Sequence, residues 1–518
     1  MKIDIDLREY QKAIIETASN HNTLVVIPTG MGKTIIALFL VMKRFEKFPR
    51  SKMLFLAPTR PLAEQHLNTF KKNLPELYGD MRLFTGKVDS KKRQELWKTA
   101  DIIFSTPQCI ANDLKKKRID LKEVSLLIED EAHRCLKNYA YTYVARIYQE
   151  ESRMPLILGI TASPGSDKHT ISTICKNLGI ERIEIRNRHS DDVKPYIQEL
   201  ETEIIKVELP TELKIIQTHL KNIYKKKVEE LQKRKLLFAR PTKTTILELQ
   251  ARIAKNLSNG NKHFNMLRGI ALCAQAIKVS HAIELLETQS ISSLYNYLKS
   301  LIDKAETKSA VNLIKDMDFS SAYLITSKLY NENIEHPKIE KLKEIMRDVK
   351  EKRTIVFSHY RDTISKIKQE LDSIGVISEM FVGQQKKGNS GLSQEEQQSI
   401  IERFKSGEIS CLISTSIGEE GLDLPEVHLV VFYEPVPSAI RKIQRTGRTA
   451  RLKPGKIIFL ITKDSLDESH YWSAHHKEKK MYGILNELKE ELEHNNGLKD
   501  NSNNDTSQLR LGKFVKEV

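Results

Sequence analysis

Pro28-Thr29-Gly30-Met31-Gly32-Lys33-Thr34 brings two glycines, a lysine and a hydroxyl into one short turn. Such a turn closes backbone N–H groups around phosphate, while Lys33 reaches the β- and γ-phosphates and Thr34 ligates magnesium. The strict phosphate-loop pattern asks for glycine at position 27, where Ile27 stands. Asp130-Glu131-Ala132-His133 adds paired carboxylates behind an apolar run. Asp130 would hold magnesium, and Glu131 would orient and deprotonate an attacking water. A lone Asp-Glu pair is more often a solvated turn, but the apolar run before it and Ala132-His133 after it favour catalysis. Far downstream, Gln444-Arg445-Thr446-Gly447-Arg448-Thr449-Ala450-Arg451 repeats arginine at every third position, which predicts one side of a helix. An arginine supplied by a second body stabilises a phosphoryl group in transfer, worth roughly 10³–10⁵ in rate. Arg448 and Arg451 are the candidates for that role, and Gln444 for positioning the water or joining the bodies. A triphosphate held between two bodies is what a nucleotide-driven motor requires.

These residues need a frame. Residues 24–27, 53–57, 101–105, 126–128 and 156–160 are short apolar runs, each ending where a polar motif begins. That pattern predicts a parallel sheet with its chemistry at the carboxyl ends of the strands. After about residue 209 the periodicity turns helical. Ile246, Leu249, Ile253 and Leu257 share one face, Met266, Ile270, Cys273 and Ile277 another, and Leu294, Leu298 and Leu301 a third. Lys225, Lys226, Lys227, Lys233, Arg234, Lys235, Arg240 and Lys243 crowd the same stretch. Charge of this kind usually marks solvated helix faces; between two halves of a motor it also suits a track for a nucleic-acid backbone. Runs at 354–357, 411–414, 429–432 and 456–460 predict a second α/β domain, with a helix over 393–404. Residues 492–507, rich in Asn, Asp and Ser, predict a disordered linker.

Composition narrows the function classes. The chain has 518 residues, 40% hydrophobic and 29% charged, which suits a globular protein of several domains. Lys and Arg total 84 against 68 Asp and Glu, a net charge of +16 that fits a polyanion such as DNA, RNA or an anionic membrane surface. Cys109, Cys135, Cys175, Cys273 and Cys411 are scattered with no C-x-x-C pair, so neither a zinc site nor a disulfide framework is expected. The start lacks the apolar core of a secretion signal, and no apolar run reads as long enough to span a bilayer. No membrane partner and a reducing cytoplasm of archaeal type are the expectations.

With these sets in view the chain resembles superfamily 2 helicases of the DEAH-box type. It is closely similar to the Hef / Fanconi anaemia group M family of DNA helicases, from about residue 7 to about residue 480. Leu7-Arg8-Glu9-Tyr10-Gln11 resembles the Q motif, and Ala57-Pro58-Thr59-Arg60-Pro61-Leu62 motif Ia. Thr85-Gly86 and Ser105-Thr106-Pro107-Gln108 look like two further strand-contact motifs, and Thr161-Ala162-Ser163-Pro164-Gly165 like motif III. Phe381-Val382-Gly383-Gln384, Gly391-Leu392-Ser393-Gln394, Ser416-Ile417-Gly418-Glu419-Glu420-Gly421-Leu422-Asp423-Leu424-Pro425 and Phe432-Tyr433-Glu434-Pro435-Val436-Pro437-Ser438-Ala439-Ile440-Arg441 follow this family in particular.

The resemblance implies an α/β fold of two RecA-like parallel-sheet domains with an all-helical insertion between them. The expected divisions are 1–208, 209–332 and 333–485, then a disordered tail over 486–518. It implies ATP and Mg²⁺ as cofactors, with Gln11 reading adenine and Asp423 joining Pro28, Thr29, Gly30, Met31, Gly32, Lys33 and Thr34 around the nucleotide. Pro58, Thr59, Arg60, Thr85, Gly86, Thr106, Pro107, Thr415 and Gly418 would hold one strand through its phosphates, which leaves recognition independent of sequence. His133, Thr161 and Ser163 would couple the two sites. The implied activity is ATP-driven, 3′→5′ movement on branched DNA such as stalled forks and junctions in DNA repair.

Glu129 before Asp130, and Ala450 in the arginine motif, depart from the family pattern. The chain also lacks the acidic nuclease cluster that full-length Hef proteins carry, so no nuclease is expected in it, and whether a separate nuclease partners it is left open by the sequence. Gln508-Leu509-Arg510-Leu511-Gly512-Lys513-Phe514-Val515 resembles a sliding-clamp (PCNA) peptide, with Gln508, Leu511 and Phe514 as its contacts; a chance match of so loose a pattern carries about equal weight. Two other readings stand beside the DNA motor: a double-stranded-RNA-activated ATPase of the RIG-I/Dicer type, and a non-catalytic scaffold that binds nucleic acid and a clamp.

Overall fold

The structure is a computed structural model that describes residues 5–74, 78–259, 263–304, 307–349, 352–383, 391–415, 424–450 and 453–514. Its first sheet is parallel throughout, in the order β3-β4-β2-β5-β6-β1-β7. The strands are β1 (Thr23–Val26), β2 (Lys52–Leu56), β3 (Met81–Phe84), β4 (Ile102–Ser105), β5 (Val124–Asp130), β6 (Ile157–Thr161) and β7 (Arg182–Ile185). The central strands are buried on both faces, which is why they read as unbroken apolar runs. Helices α1 (Glu9–Asn20), α2 (Lys33–Lys47), α3 (Arg60–Asn73), α4 (Ser90–Thr99), α5 (Pro107–Lys115), α6 (Ala140–Glu151) and α7 (Lys168–Leu178) cover the two faces.

The order of this sheet separates two sets of loops along one edge. The polar motifs at 28–34, 130–133 and 161–163 follow the neighbouring strands β1, β5 and β6. Those at 58–60, 85–86 and 106–107 follow the neighbouring strands β2, β3 and β4.

The helical region contains α8 (Thr211–Lys233), α9 (Lys243–Ser258), α10 (Phe264–Thr288), α11 (Ile291–Asp303), α12 (Lys308–Ile314) and α13 (Met317–Asn331). The three apolar faces read from the sequence pack into two clusters, one around Ile246, Leu249, Ile253 and Cys273 and one around Leu294 and Leu298. Here the expectation of no bilayer-length run needs correcting. Among the described residues α10 is long and apolar enough to cross a membrane by length and composition. It packs against α8, α9, α11 and α12, and its buried residues concentrate in the C-terminal half, where contact on several sides favours apolar residues all round.

The second sheet is also parallel, in the order β10-β11-β9-β12-β13-β8. It contains β8 (Leu200–Val207), β9 (Thr354–Phe357), β10 (Ser378–Phe381), β11 (Cys411–Ser414), β12 (Leu429–Phe432) and β13 (Gly455–Thr462). Helices α14 (Pro337–Asp348), α15 (Arg361–Ser373), α16 (Gln394–Ser406) and α17 (Ala439–Thr446) belong to it, and α18 (Leu466–Phe514) follows. Ser393 caps α16 through the N–H of Glu396.

Three expectations change. The boundary at 208 falls too late, because β8 is already the edge strand of the second sheet. The arginine repeat is not one helix: α17 stops at Thr446, Gly447 is its cap, and Arg448 lies beyond. The tail expected to be disordered from 486 is helical to Phe514, and Ile484, Leu485 and Leu488 of α18 join the core of the first domain. A helix anchored by packing extends at one hydrogen bond per added residue, even through poor helix formers.

Candidate nucleotide and nucleic-acid sites

Ile27, at the position of the missing glycine, is fully buried among Val25, Met31 and Ile36, and its N–H bonds to Thr161 O at 3.1 Å. An apolar anchor thus starts the loop at the core's edge. Gly30 and Gly32 adopt φ of 84° and 78°, the left-handed region that glycine enters without strain. A Cβ at Gly32 would overlap Gln11 Nε2. Gln11 donates from Nε2 to Met31 O at 3.4 Å, and Tyr10 OH donates to the same carbonyl at 2.9 Å. The Q-motif residue therefore lies on the phosphate loop. Lys33 and Thr34 open α2, whose N-terminal amides and dipole attract phosphate.

Asp130 and Thr34 meet at one imidazole. His66 Nε2 lies 3.0 Å from Asp130 Oδ2 and its Nδ1 3.3 Å from Thr34 Oγ1. Burial alone would raise the Asp130 carboxyl, but the His66 hydrogen bond and the charges of His66 and Lys33 outweigh it and hold the group below the usual carboxylate range. The two residues proposed to bind magnesium thus share one neighbour, each on a different ring nitrogen of His66, and their oxygen donors are of the type a hard cation takes. Glu131 sits in the left-handed region at φ 55°, a strained position for a residue with a side chain. Its Oε2 is buried without a hydrogen bond and lies 3.2 Å from His133 Nδ1. His133 Nδ1 is 3.1 Å from Thr161 Oγ1, which donates to Ser163 O and accepts from Ser163 N–H. Ser163 Oγ reaches Met481 Sδ of α18 at 3.0 Å. The coupling residues read from the sequence therefore form one chain of contacts ending on α18. Glu129 points away from them; burial pushes its carboxyl well above the usual range, so it is a neutral acid beside Cys135.

The second domain meets the phosphate loop directly. A Cβ at Gly447 would overlap Thr29 Oγ1 and lie 2.7 Å from Thr29 Cβ. Gln444 and Arg448 are buried there. Arg445, read only as part of the repeat, is fully buried with its guanidinium 4.7 Å from the Phe357 ring and 5.6 Å from the Phe432 ring. Arg188 adds a link between the halves, donating to Ala450 O at 3.5 Å and to Gln198 O at 2.7 Å. Arg451, Gly418 and Asp423 lie outside the described residues, and nothing is described of the side chains of Gln508, Leu511 and Phe514.

The strand-contact residues sit at the starts of helices and in neighbouring turns. Thr59 precedes α3 and Thr106 precedes α5, each an N-terminus suited to phosphate. Thr59 Oγ1 and Arg60 Nε are buried with no hydrogen-bond partner. Pro58 lies beside Thr59, Pro107 is the first residue of α5, and a Cβ at Gly86 would meet open space. The Thr85 turn is held from behind: Arg93 binds Asp113 through two bonds of 2.7 and 2.8 Å and donates to the carbonyls of Thr85 and Val88. In the second domain Thr415 N–H bonds to Phe381 O at 3.2 Å. A cleft of about 1630 Å³ opens between α3 and α16, where Arg60, Lys72, Lys87 and Lys405 share the walls with Glu64, Glu395, Glu396 and Glu402. In the helical region several expected tracking cations already have partners: Lys226 with Asp318, Lys227 with Asp316, Arg234 with Glu230 and Lys243 with Glu284. Lys233, Lys235 and Arg240 are exposed.

His66, Met481 and the Arg93–Asp113 pair were not read from the sequence, and Tyr10 only as part of the Q motif. His66 left one trace. Ala63, Leu67 and Phe70 form an apolar stripe, and position 66 falls on the same face of the helix.

Two parallel-sheet domains around a helical bundle, with a phosphate loop facing an arginine motif across them, define an ATP-dependent helicase. The "DEAD/DEAH box helicase" family matches residues 8–171 and the "Helicase conserved C-terminal domain" residues 337–453. A helical-bundle family described under an RNA-helicase name matches 212–329. The crystal structure of the Pyrococcus furiosus Hef helicase domain is 40% identical with a TM-score of 0.70, over 90% of this chain and 98% of that one. A relative from Methanocaldococcus jannaschii, named "Putative ATP-dependent RNA helicase MJ1505", is 39% identical over 93% of this chain and 61% of its own length, and the mouse Fanconi anemia group M protein homolog 32% over 92% and 26%. This chain spans about three fifths or less of the length of these curated relatives. It belongs to the family of helicases that contains Hef and the Fanconi anaemia group M proteins.

Proposed function

We propose that the chain is an ATP-driven DNA motor that moves 3′→5′ and remodels branched DNA, forks and junctions, in DNA repair. The observation that carries this reading is the contact of Gly447 with Thr29, which sets the arginine motif of one domain against the phosphate loop of the other, while Arg60 lines a separate cleft. The names of relatives divide on the substrate: one from Neurospora crassa is called an ATP-dependent DNA helicase, at 33% identity, while the Methanocaldococcus jannaschii relative, at 39%, is called an ATP-dependent RNA helicase. An Arabidopsis thaliana relative is called an RNA helicase, at 32%, which keeps the RNA-activated reading as the competitor.

In the proposed mechanism α1 holds the phosphate loop through Tyr10 and Gln11, and Lys33 neutralises phosphate charge. Thr34 and Asp130 would hold magnesium, which offsets the charge of the β- and γ-phosphates. Glu131, whose Oε2 has no hydrogen bond of its own, accepts the proton of the attacking water. Arg448 stabilises the phosphoryl group from the second domain, and Arg451 is proposed to assist it. Loss of the γ-phosphate then changes what Gly447 and Arg448 face, and the chain Glu131–His133–Thr161–Ser163 carries that change to α18. The Gln508–Leu511–Phe514 peptide is proposed to tether the motor to a sliding clamp; equal recovery of Phe514→Ala and the unaltered chain on immobilised clamp would remove that part.

The test is ATP hydrolysis with no nucleic acid, single-stranded DNA, a synthetic fork and double-stranded RNA, at one salt concentration because phosphate contacts are salt-dependent. Strongest stimulation by the fork supports the proposal. Strongest stimulation by RNA replaces it with the RNA reading, and a Lys33→Ala variant that turns over ATP normally removes the assigned phosphate loop.

A further inference from the structure

α3 has two working faces. Arg60, Gln65, Asn68 and Lys72 line the cleft against α16, while His66 turns inward to the nucleotide loops. The imidazole is almost fully buried, and it packs on Phe55 with ring centroids 4.4 Å apart at 34°. Phe55 in turn packs on Phe70 of the same helix and on Phe104. The ring therefore has little freedom to move apart from its helix.

The hydrogen bonds fix its chemistry. An ionised Asp130 only accepts, so His66 Nε2 carries the proton and donates to Oδ2. Its other nitrogen, Nδ1, faces the Thr34 hydroxyl at 3.3 Å. One side chain of the strand-gripping helix thus orients both residues assigned to the metal. At the start of the same helix, Thr59 Oγ1 and Arg60 Nε are buried without hydrogen bonds, Arg60 Nε lying 3.9 Å from Glu64 Oε2. From Arg60 to His66 is about 9 Å of helix at 1.5 Å per residue, with no turn or hinge between.

We propose that His66 is the positioning residue that couples magnesium-nucleotide binding to nucleic-acid binding. When Thr34 and Asp130 turn their oxygens to a cation, the bonds they give and receive at His66 are re-aimed. The ring, wedged on Phe55, passes that adjustment along α3 to Thr59 and Arg60. Coupling of this kind is reciprocal, so a strand held at the start of α3 changes magnesium-nucleotide affinity by the same factor, commonly about 5- to 150-fold. The inference rests on the proposal that Pro58, Thr59 and Arg60 hold the strand.

The experiment is a linkage cycle. Affinity for a labelled single strand is measured by fluorescence anisotropy with a non-hydrolysable ATP analogue plus magnesium, with the analogue plus chelator, and without nucleotide. The unaltered chain is expected to change affinity at least fivefold with the magnesium complex, His66→Ala less than twofold, and His66→Gln, which keeps a donor for Asp130, to an intermediate degree. A His66→Ala variant that keeps the full factor overturns the inference. So does one that loses DNA affinity equally in all three conditions, since that is plain damage to α3, and so does an unaltered chain that shows no factor. Arg60→Ala binding DNA as tightly as the unaltered chain would instead remove the assignment of α3 as the grip.

Discussion

Gly447→Ala tests the contact on which the motor reading turns. The added Cβ would overlap Thr29 Oγ1 and stand 2.7 Å from Thr29 Cβ, where ordinary contact begins at 3.4 Å. Rotating the Thr29 hydroxyl relieves the first overlap and leaves the second. The two domains must therefore separate by about 0.7 Å here, or the phosphate loop must distort by as much. A misplacement near 1 Å in a reacting assembly costs up to about 100-fold in rate, so kcat should fall roughly 10- to 100-fold, about 1.4 to 2.7 kcal/mol of barrier. Steady-state ATPase at saturating forked DNA measures kcat, and calorimetry checks that melting is unchanged, as it should be for a contact between domains. Thr29→Gly in the same chain removes the opposing Cβ and should recover part of the loss. A Gly447→Ala enzyme within twofold of the unaltered kcat would refute the reasoning, because domain 2 would then not need to approach the loop this closely.

Lys338 and Asp467 form an ion pair with both side chains fully buried, so Lys338→Met should cost roughly 3–5 kcal/mol and lower Tm by about 10 °C in calorimetry, with Lys338→Met/Asp467→Leu recovering much of it. Burial pushes the Glu434 carboxyl up to about 7 against the opposing charges of Arg445 and Lys338. Its folded form thus holds a proton that the unfolded form releases near 4.5, and the stability it contributes is full below that pH and lost as pH rises to about 7. Glu434→Gln should therefore match the unaltered chain at pH 4 and exceed it by about 3 kcal/mol at pH 8 in denaturant titrations. Arg93→Lys cannot keep the paired bonds to Asp113 and the hold on the Thr85 turn, and should raise the DNA concentration for half-maximal ATPase stimulation roughly 10-fold, about 1.4 kcal/mol.

The buried middle of each sheet was legible because strands enclosed on both faces leave apolar runs, and each run stopped at a motif. The edges were not. β3 and β10 bury only the first and last of their four residues, and β8 begins Leu200-Glu201-Thr202-Glu203, a pattern that also suits a loop. Helix bounds failed where glycine intervened, since spacing alone made Arg445, Arg448 and Arg451 one face while Gly447 ends the helix between them. The phosphate loop and the Asp130 pair were legible because their chemistry is local in sequence. His66 was not, because its partners Thr34 and Asp130 lie on other elements and only the fold brings them to it.

The chain does not finish one half before it starts the other. β8 leaves the first domain to become the edge of the second sheet, and α18 leaves the second to bury Met481, Ile484, Leu485 and Leu488 in the first. The halves are laced together by an exchange of one element each way. A cut after residue 208 would therefore strip an edge from one sheet and a cut before 466 would open the core of the other, so neither half can be prepared alone at the sequence boundaries. Lacing also ties relative movement of the halves to α18: a change of angle between them loads that helix where Met481, Ile484, Leu485 and Leu488 hold it to the first domain.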